Sequence, residues 1–264
     1  MRVPRAVRLG VLLALLAGVL LFAWHDVSRR RERNEWKRTL DVALIIVKDG
    51  RVDERALAGL RARVPELARR LRSELARYRP GAPAPFAFTT FGPANLGAEL
   101  PGQPAEGLWG AVKHAHALHR FTRASDDTLA VPSRGFDARI YVVVRPATDQ
   151  ALVEGFSEHG GRIGIAFVEL DPDTVDTALF VAAHELFHTL GATDRYGPDG
   201  RALVPDGLAE PHRVPLYPQQ KAEVMARARP LSPNEEARPE VLDELAVGEV
   251  TAREIGWRTP ESVR

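Results

Sequence analysis

The sequence has no cysteine. That absence excludes disulfide staples, thiolate metal sites and cysteine nucleophiles, so any metal must sit on nitrogen and oxygen ligands. Methionine is nearly as scarce: besides the initiator there is only Met225. Long apolar runs are rare too, and the one that qualifies, Leu9–Trp24, has sixteen residues. That is just short of the roughly 17–25 a membrane-spanning helix needs. No internal repeat is present. What remains is an ordinary globular balance, 45% hydrophobic and 27% charged over 264 residues, with enough apolar material for a core. This length suits one domain, or one domain in two lobes, plus an appendage.

The formal charge of +1 conceals an asymmetry. Residues 1–38 hold nine Lys/Arg against three Asp/Glu, leaving 27 basic and 32 acidic residues for the rest. An acidic body of this kind lacks the basic face of a nucleic-acid binder, so nucleic acid is not expected as a partner. The basic residues bear instead on the membrane. Arg2, Arg5 and Arg8 precede the apolar run, and Arg29, Arg30, Arg31, Arg33, Lys37 and Arg38 follow it. Snorkelling arginines and helical flanks extend a short run, and no convincing small-x-small cleavage site follows. The expectation is an uncleaved transmembrane signal-anchor, with secretion as the outcome if it is cleaved. The positive-inside rule, read strictly, would keep the body in the cytoplasm, but long domains translocate largely regardless of charge. The expected location of the body is extracytoplasmic, periplasmic or at the cell surface.

Along the body, "LDVALIIVKDG" reads as a buried strand closed by a turn. Asp53 is placed to cap the helix that follows, and Leu57, Leu60, Val64, Leu67, Leu71 and Leu75 recur at helical spacing, with Pro65 expected to kink or restart it. "PFAFTTFG", "ARIYVVVRP" and "GGRIGIAFVELD" are further strands, and a helix is predicted over 108–121. His114, His116 and His119 on that helix have no carboxylate among them and read as surface or packing residues. Strands alternating with helices indicate a largely parallel sheet with helices against it. The last seventy or so residues are rich in Pro and Gly, with one short helix near 250–255.

The chemistry concentrates in "HELFHTLGATD". His184 and His188 are four apart, so one helical turn stacks both imidazoles on one face, where they can share a zinc ion at about 2.0–2.1 Å. Glu185 adjoins the first histidine, placed to take a proton from a water on the metal without ligating it. Gly191 stands where the chain must bend, and Asp194 follows three residues later with oxygen chemistry acceptable to zinc. Asp199, Asp206 and Glu210 are rivals for the third ligand, or form an acidic loop suited to structural calcium.

This eleven-residue stretch resembles the extended zinc motif of the metzincin metalloproteases, in the snapalysin-like variant that puts Asp at the third position. The resemblance implies an α+β zincin fold: a mixed twisted sheet with two packed helices, an active-site helix and a small irregular C-terminal lobe. After the signal-anchor with basic flank over 1–38, it divides the chain into an upper α/β lobe over 39–193 and a lower lobe over 194–264. It also implies a methionine turn, for which Met225 is the candidate. A substrate-pairing strand is implied at Ile163, Gly164, Ile165 and Ala166, acting by β-augmentation. One departure stands out. Several metzincins carry a tyrosine two residues after the methionine, where this chain has Arg227, so Tyr196 or Tyr217 would have to stabilise an oxyanion. The function implied is zinc-dependent hydrolysis of peptide or protein substrates, with Glu185 as general base. A membrane-tethered binding domain with structural zinc and a zinc amidase acting on cell-wall peptide are the alternatives.

Overall fold

The computed structural model describes residues 4–95, 99–102, 107–147, 153–157 and 160–258. Two buried sets alternate along the first strand: Val42, Leu44 and Ile46 face one side, and Ala43, Ile45 and Val47 the other. A strand buried on both faces must have layers above and below it, and the chain supplies them. In order, the elements are α1 (Arg5–Arg33), β1 (Leu40–Lys48), α2 (Glu54–Tyr78), β2 (Phe86–Asn95), α3 (Gly107–Leu129), β3 (Ala138–Pro146), β4 (Val153–Ser157), β5 (Ile163–Leu170) and α4 (Val175–Thr189). Short pieces follow: β6 (Ala222–Glu223), β7 (Arg229–Ser232), β8 (Glu235–Ala237), β9 (Leu245–Ala246) and α5 (Glu249–Glu254).

The main sheet has the order β2-β1-β3-β5-β4. The first four strands in that order are parallel, and β4 alone is antiparallel, along the outer edge of β5. Helices α2 and α4 cover one face. The leucine stripe of α2 packs there with Val142, Ala166 and Val168 of the sheet and Leu179, Leu186 and Phe187 of α4. Each fully buried leucine contributes roughly 1.5–3 kcal/mol. Phe121 and Leu118 of α3 close the opposite face against Ile45, Tyr141 and Ile165. The expected mixed sheet with helices is therefore present, with a third helix on the far face.

Several expectations change. Pro65 does not restart the helix: α2 is continuous through it, with Asp53 Oδ1 accepting from the Arg55 and Ala56 backbone N–H groups at its start. Helix α3 extends to Leu129, beyond the predicted end at 121. Strand β4 was not predicted. Its presence changes the substrate-strand expectation: Gly164, Ile165 and Ala166 have β3 on one edge and β4 on the other, so at these residues β5 has no edge left to pair, while Ile163 pairs with β3. The terminal strand on that side is β4.

Among the described residues, no helix is long and apolar enough to cross a membrane. Helix α1 nevertheless leaves Leu12, Leu16, Leu20 and Trp24 exposed. Trp36, before the expected boundary at 38, packs against the body. It is buried edge-on against Phe86 and Trp257, at centroid distances of 5.5 and 5.7 Å.

Candidate metal centre

Helix α4 carries both histidines. It starts after a turn in which Asp171 Oδ1 accepts from the Asp173 and Thr174 backbone N–H groups, while Thr174, at the N-cap position, makes no side-chain cap bond. It ends at Thr189, and just beyond its C-cap Leu190 stands Gly191, whose φ of +97° is a conformation that glycine adopts without Cβ strain. The bend there returns Asp194 to the helix. His184 Nε2 and His188 Nε2 lie 3.1 Å apart, and Asp194 Oδ1 lies 3.3 and 3.2 Å from them. The three atoms form a nearly equilateral triangle. A small ion at about 2.0–2.1 Å from three tetrahedral ligands requires ligand separations of roughly 3.3 Å, which is the spacing found.

The proton positions follow from the partners. His184 Nδ1 is 2.9 Å from the Val224 carbonyl, and His188 Nδ1 is 2.9 Å from the Ala192 carbonyl. A carbonyl only accepts, so both Nδ1 atoms donate, and in the neutral rings both Nε2 atoms present bare lone pairs to each other and to a carboxylate. Two facing lone pairs in a mostly buried site repel unless a proton or a cation lies between them. Burial lowers the His188 pKa, but Asp194 and Glu185 outweigh it and raise it. Burial likewise raises the Asp194 pKa, and the two imidazoles reverse that, holding its carboxyl far below the usual range. His184, His188 and Asp194 could together hold a metal ion. Asp199, Asp206 and Glu210 do not join them. Asp199 Oδ1 accepts from the Arg201 backbone, and Glu210 Oε2 from the Gln220 backbone. Among the described residues no other metal-ligating group forms, and His116 and His119 lie exposed on α3, as a surface reading requires.

Glu185 is buried beside the cluster. Its carboxylate lies against the backbone of β4: a Cβ built on Gly155 would fall 1.9 Å from Glu185 Oε1. Glycine at 155 is what makes room for the carboxylate. Tyr196 stacks on His184, with centroids 6.5 Å apart and planes at 26°. Arg227 Nη1 donates to the Tyr196 hydroxyl at 3.3 Å, and its guanidinium lies 5.2 Å from the ring centroid. Burial raises the Tyr196 phenol, and Asp194 adds to this against Arg227, so it stays a hydrogen-bond donor at neutral pH. Tyr217 joins neither the cluster nor its contacts among the described residues.

Met225 is fully buried. Its turn is fastened by Glu223, whose Oε2 accepts from the Met225 and Ala226 N–H groups at 2.6 and 3.1 Å and whose Oε1 accepts from Gly248 N–H at 3.0 Å. That carboxylate fixes the turn presenting the Val224 carbonyl to His184. Sequence reasoning missed Glu223, Gly155 and the two orienting carbonyls. The carbonyls have no letter of their own, and the other two acquire meaning only through contacts distant in sequence. No protein-family model matches the chain, and no curated protein matches it.

Proposed function

We propose that the protein is a zinc-dependent metallopeptidase of metzincin type, with His184, His188 and Asp194 as ligands and Glu185 as general base. The observation that carries this reading is the 3.1–3.3 Å triangle of ligand atoms, both imidazoles oriented through Nδ1, beside a buried carboxylate. Bound there, zinc would supply Lewis acidity toward a water and a substrate carbonyl. Glu185 takes the proton from the attacking water and returns it to the leaving amine. The Tyr196 hydroxyl, backed by Arg227, donates to the developing oxyanion. An extended peptide pairs with the outer edge of β4, in place of the β5 pairing expected from sequence. That edge runs past Glu185, since Gly155 lies directly under its carboxylate.

Three protein ligands and a partly exposed Asp194 leave one side of the site open, which favours catalysis over a closed structural site. The division into an α/β lobe ending at Gly191 and a lower lobe of short strands supports the metzincin reading. The exposed apolar side chains of α1 support attachment of the body to a membrane. Metal analysis of the full chain should give one zinc per molecule, lost in His188→Ala. Glu185→Gln should retain the metal and lose peptide hydrolysis. Activity surviving in Glu185→Gln would overturn the base assignment.

A further inference from the structure

Each histidine of the metal centre is aimed by its helix and by a backbone carbonyl, but Asp194 has neither support. It stands in an irregular stretch, 192–195, between the end of α4 and the bridge at Tyr196. Ordering one loop residue costs roughly 1–2 kcal/mol of backbone entropy, so a ligand held in place beforehand favours the ion. The neighbours of Asp194 do the holding. Arg195 N–H donates to the Met225 carbonyl at 2.9 Å, and the Arg195 carbonyl accepts from Leu203 N–H at 2.7 Å. Glu254 Oε2 accepts from Thr193 N–H at 3.0 Å, and Glu254 Oε1 accepts from the Thr193 hydroxyl at 2.9 Å. The Arg195 guanidinium forms an ion pair with the same Oε1. One carboxylate, distant in sequence, thus grips the residue before Asp194 and the residue after it.

Glu254 can grip because its own element is fastened at both ends. It is the last residue of α5, whose Thr251 and Ala252 are buried, and the Ile255 and Trp257 that follow lie in the core. The Trp36 indole donates to the Ile255 carbonyl at 2.6 Å. At the start of α5, the N-cap Gly248 donates its N–H to Glu223 Oε1, while Glu223 Oε2 holds the turn that presents the Val224 carbonyl to His184. Helix α5 therefore ties the support of the first histidine to the support of Asp194. A lone, partly exposed ion pair contributes only about 0–1 kcal/mol. Three donors converging on one carboxylate from both flanks of a metal-ligating residue point to more than that.

We propose that Glu254 is a positioning residue of the metal centre, fixing the Asp194 carboxylate on the ion through Thr193 and Arg195. This rests on the metal centre of the peptidase reading and asks nothing of the substrate. The test uses the full chain and measures zinc affinity by chelator competition, with cobalt(II) as a spectroscopic stand-in. Loss of a group that orients a ligand typically weakens metal binding 10–100-fold, so Glu254→Ala should weaken zinc binding by about tenfold or more. Its cobalt spectrum should also change, because the oxygen ligand is no longer held. Glu249→Gln, on the same helix but paired with Arg258, should bind both ions as the natural chain does. Should Glu254→Ala fail to fold, Glu254→Gln, which keeps the shape but ends the ion pair with Arg195, decides on the same readings. Unchanged zinc affinity with an unaltered cobalt spectrum overturns the proposal, and so does an equal loss in Glu249→Gln. If the natural chain takes up neither ion, the metal reading falls. The grip itself is then decided by amide hydrogen exchange over 192–195, where faster exchange in Glu254→Ala upholds it and unchanged exchange overturns it.

Discussion

At the scale of single residues, the least conspicuous participant is Gly155. It is a plain edge-strand glycine until its missing Cβ is compared with the Glu185 carboxylate, which fills that space. Gly155→Ala must therefore move either the strand or the carboxylate. Misplacing a catalytic group by about 1 Å can cost roughly 10²-fold. The expected result is a kcat loss of that order with zinc content unchanged, checked by steady-state kinetics alongside metal analysis. Unchanged kcat would mean the carboxylate has another resting place. His184, Glu185, His188 and Asp194 were legible from spacing because one helical turn and one glycine bend are local geometry. Gly155 was not, because what meets it lies thirty residues away in the chain.

At the scale of elements, α4 is held at its start as well as its end. Asp176 in its first turn accepts from Arg63 of α2 at 2.8 and 2.5 Å and from the Leu242 backbone N–H at 3.1 Å, joining both lobes through one carboxylate. Burial works to raise the Asp176 pKa, but the bonds from Arg63 and Leu242 and the arginine charge outweigh it and hold the carboxyl below 3.8. A depressed folded-state pKa contributes stability above the ordinary value of 3.8 and loses it as pH falls through the folded value. Asp176→Asn should therefore cost about 1–2 kcal/mol at pH 7. The gap between the variant and the natural protein should narrow below pH 3.8, as thermal melts across acid pH would show. A gap that persists unchanged into strong acid would remove Asp176 as the cause. The elements readable from sequence, β1, α2, β3, β5 and α4, all carry strong apolar periodicity. "VEGFS" does not, and β4 exists through its antiparallel pairing with β5, which no local pattern encodes. The run through Pro65 has a similar origin: α2 is pinned along its length by the stripe from Leu57 to Leu75, and packing overrides the local cost of proline.

At the scale of the whole molecule, the body begins earlier than its first strand. Arg33 donates to the Asp137, Gly160 and Gly161 carbonyls, Asn34 to the Leu190 carbonyl at 2.9 Å, and the Trp36 indole to the Ile255 carbonyl at 2.6 Å. A chain beginning at Thr39 loses all of these and uncovers Phe86 and Trp257. It should be less stable than one beginning at Ser28 by about 3–5 kcal/mol, the usual cost of deleting a buried tryptophan. Chemical denaturation of the two would measure the difference, and equal midpoints would show that residues 28–38 are dispensable.

The same seam also receives the far end of α4, since Gly160 N–H donates to the His188 carbonyl at 2.8 Å. Side chains of residues 33–36 are latched to five separate carbonyls, two of them in the loop that bonds the His188 carbonyl and one just past α4. Any shift of residues 33–36 therefore bears directly on the loop that bonds His188 and on the end of α4.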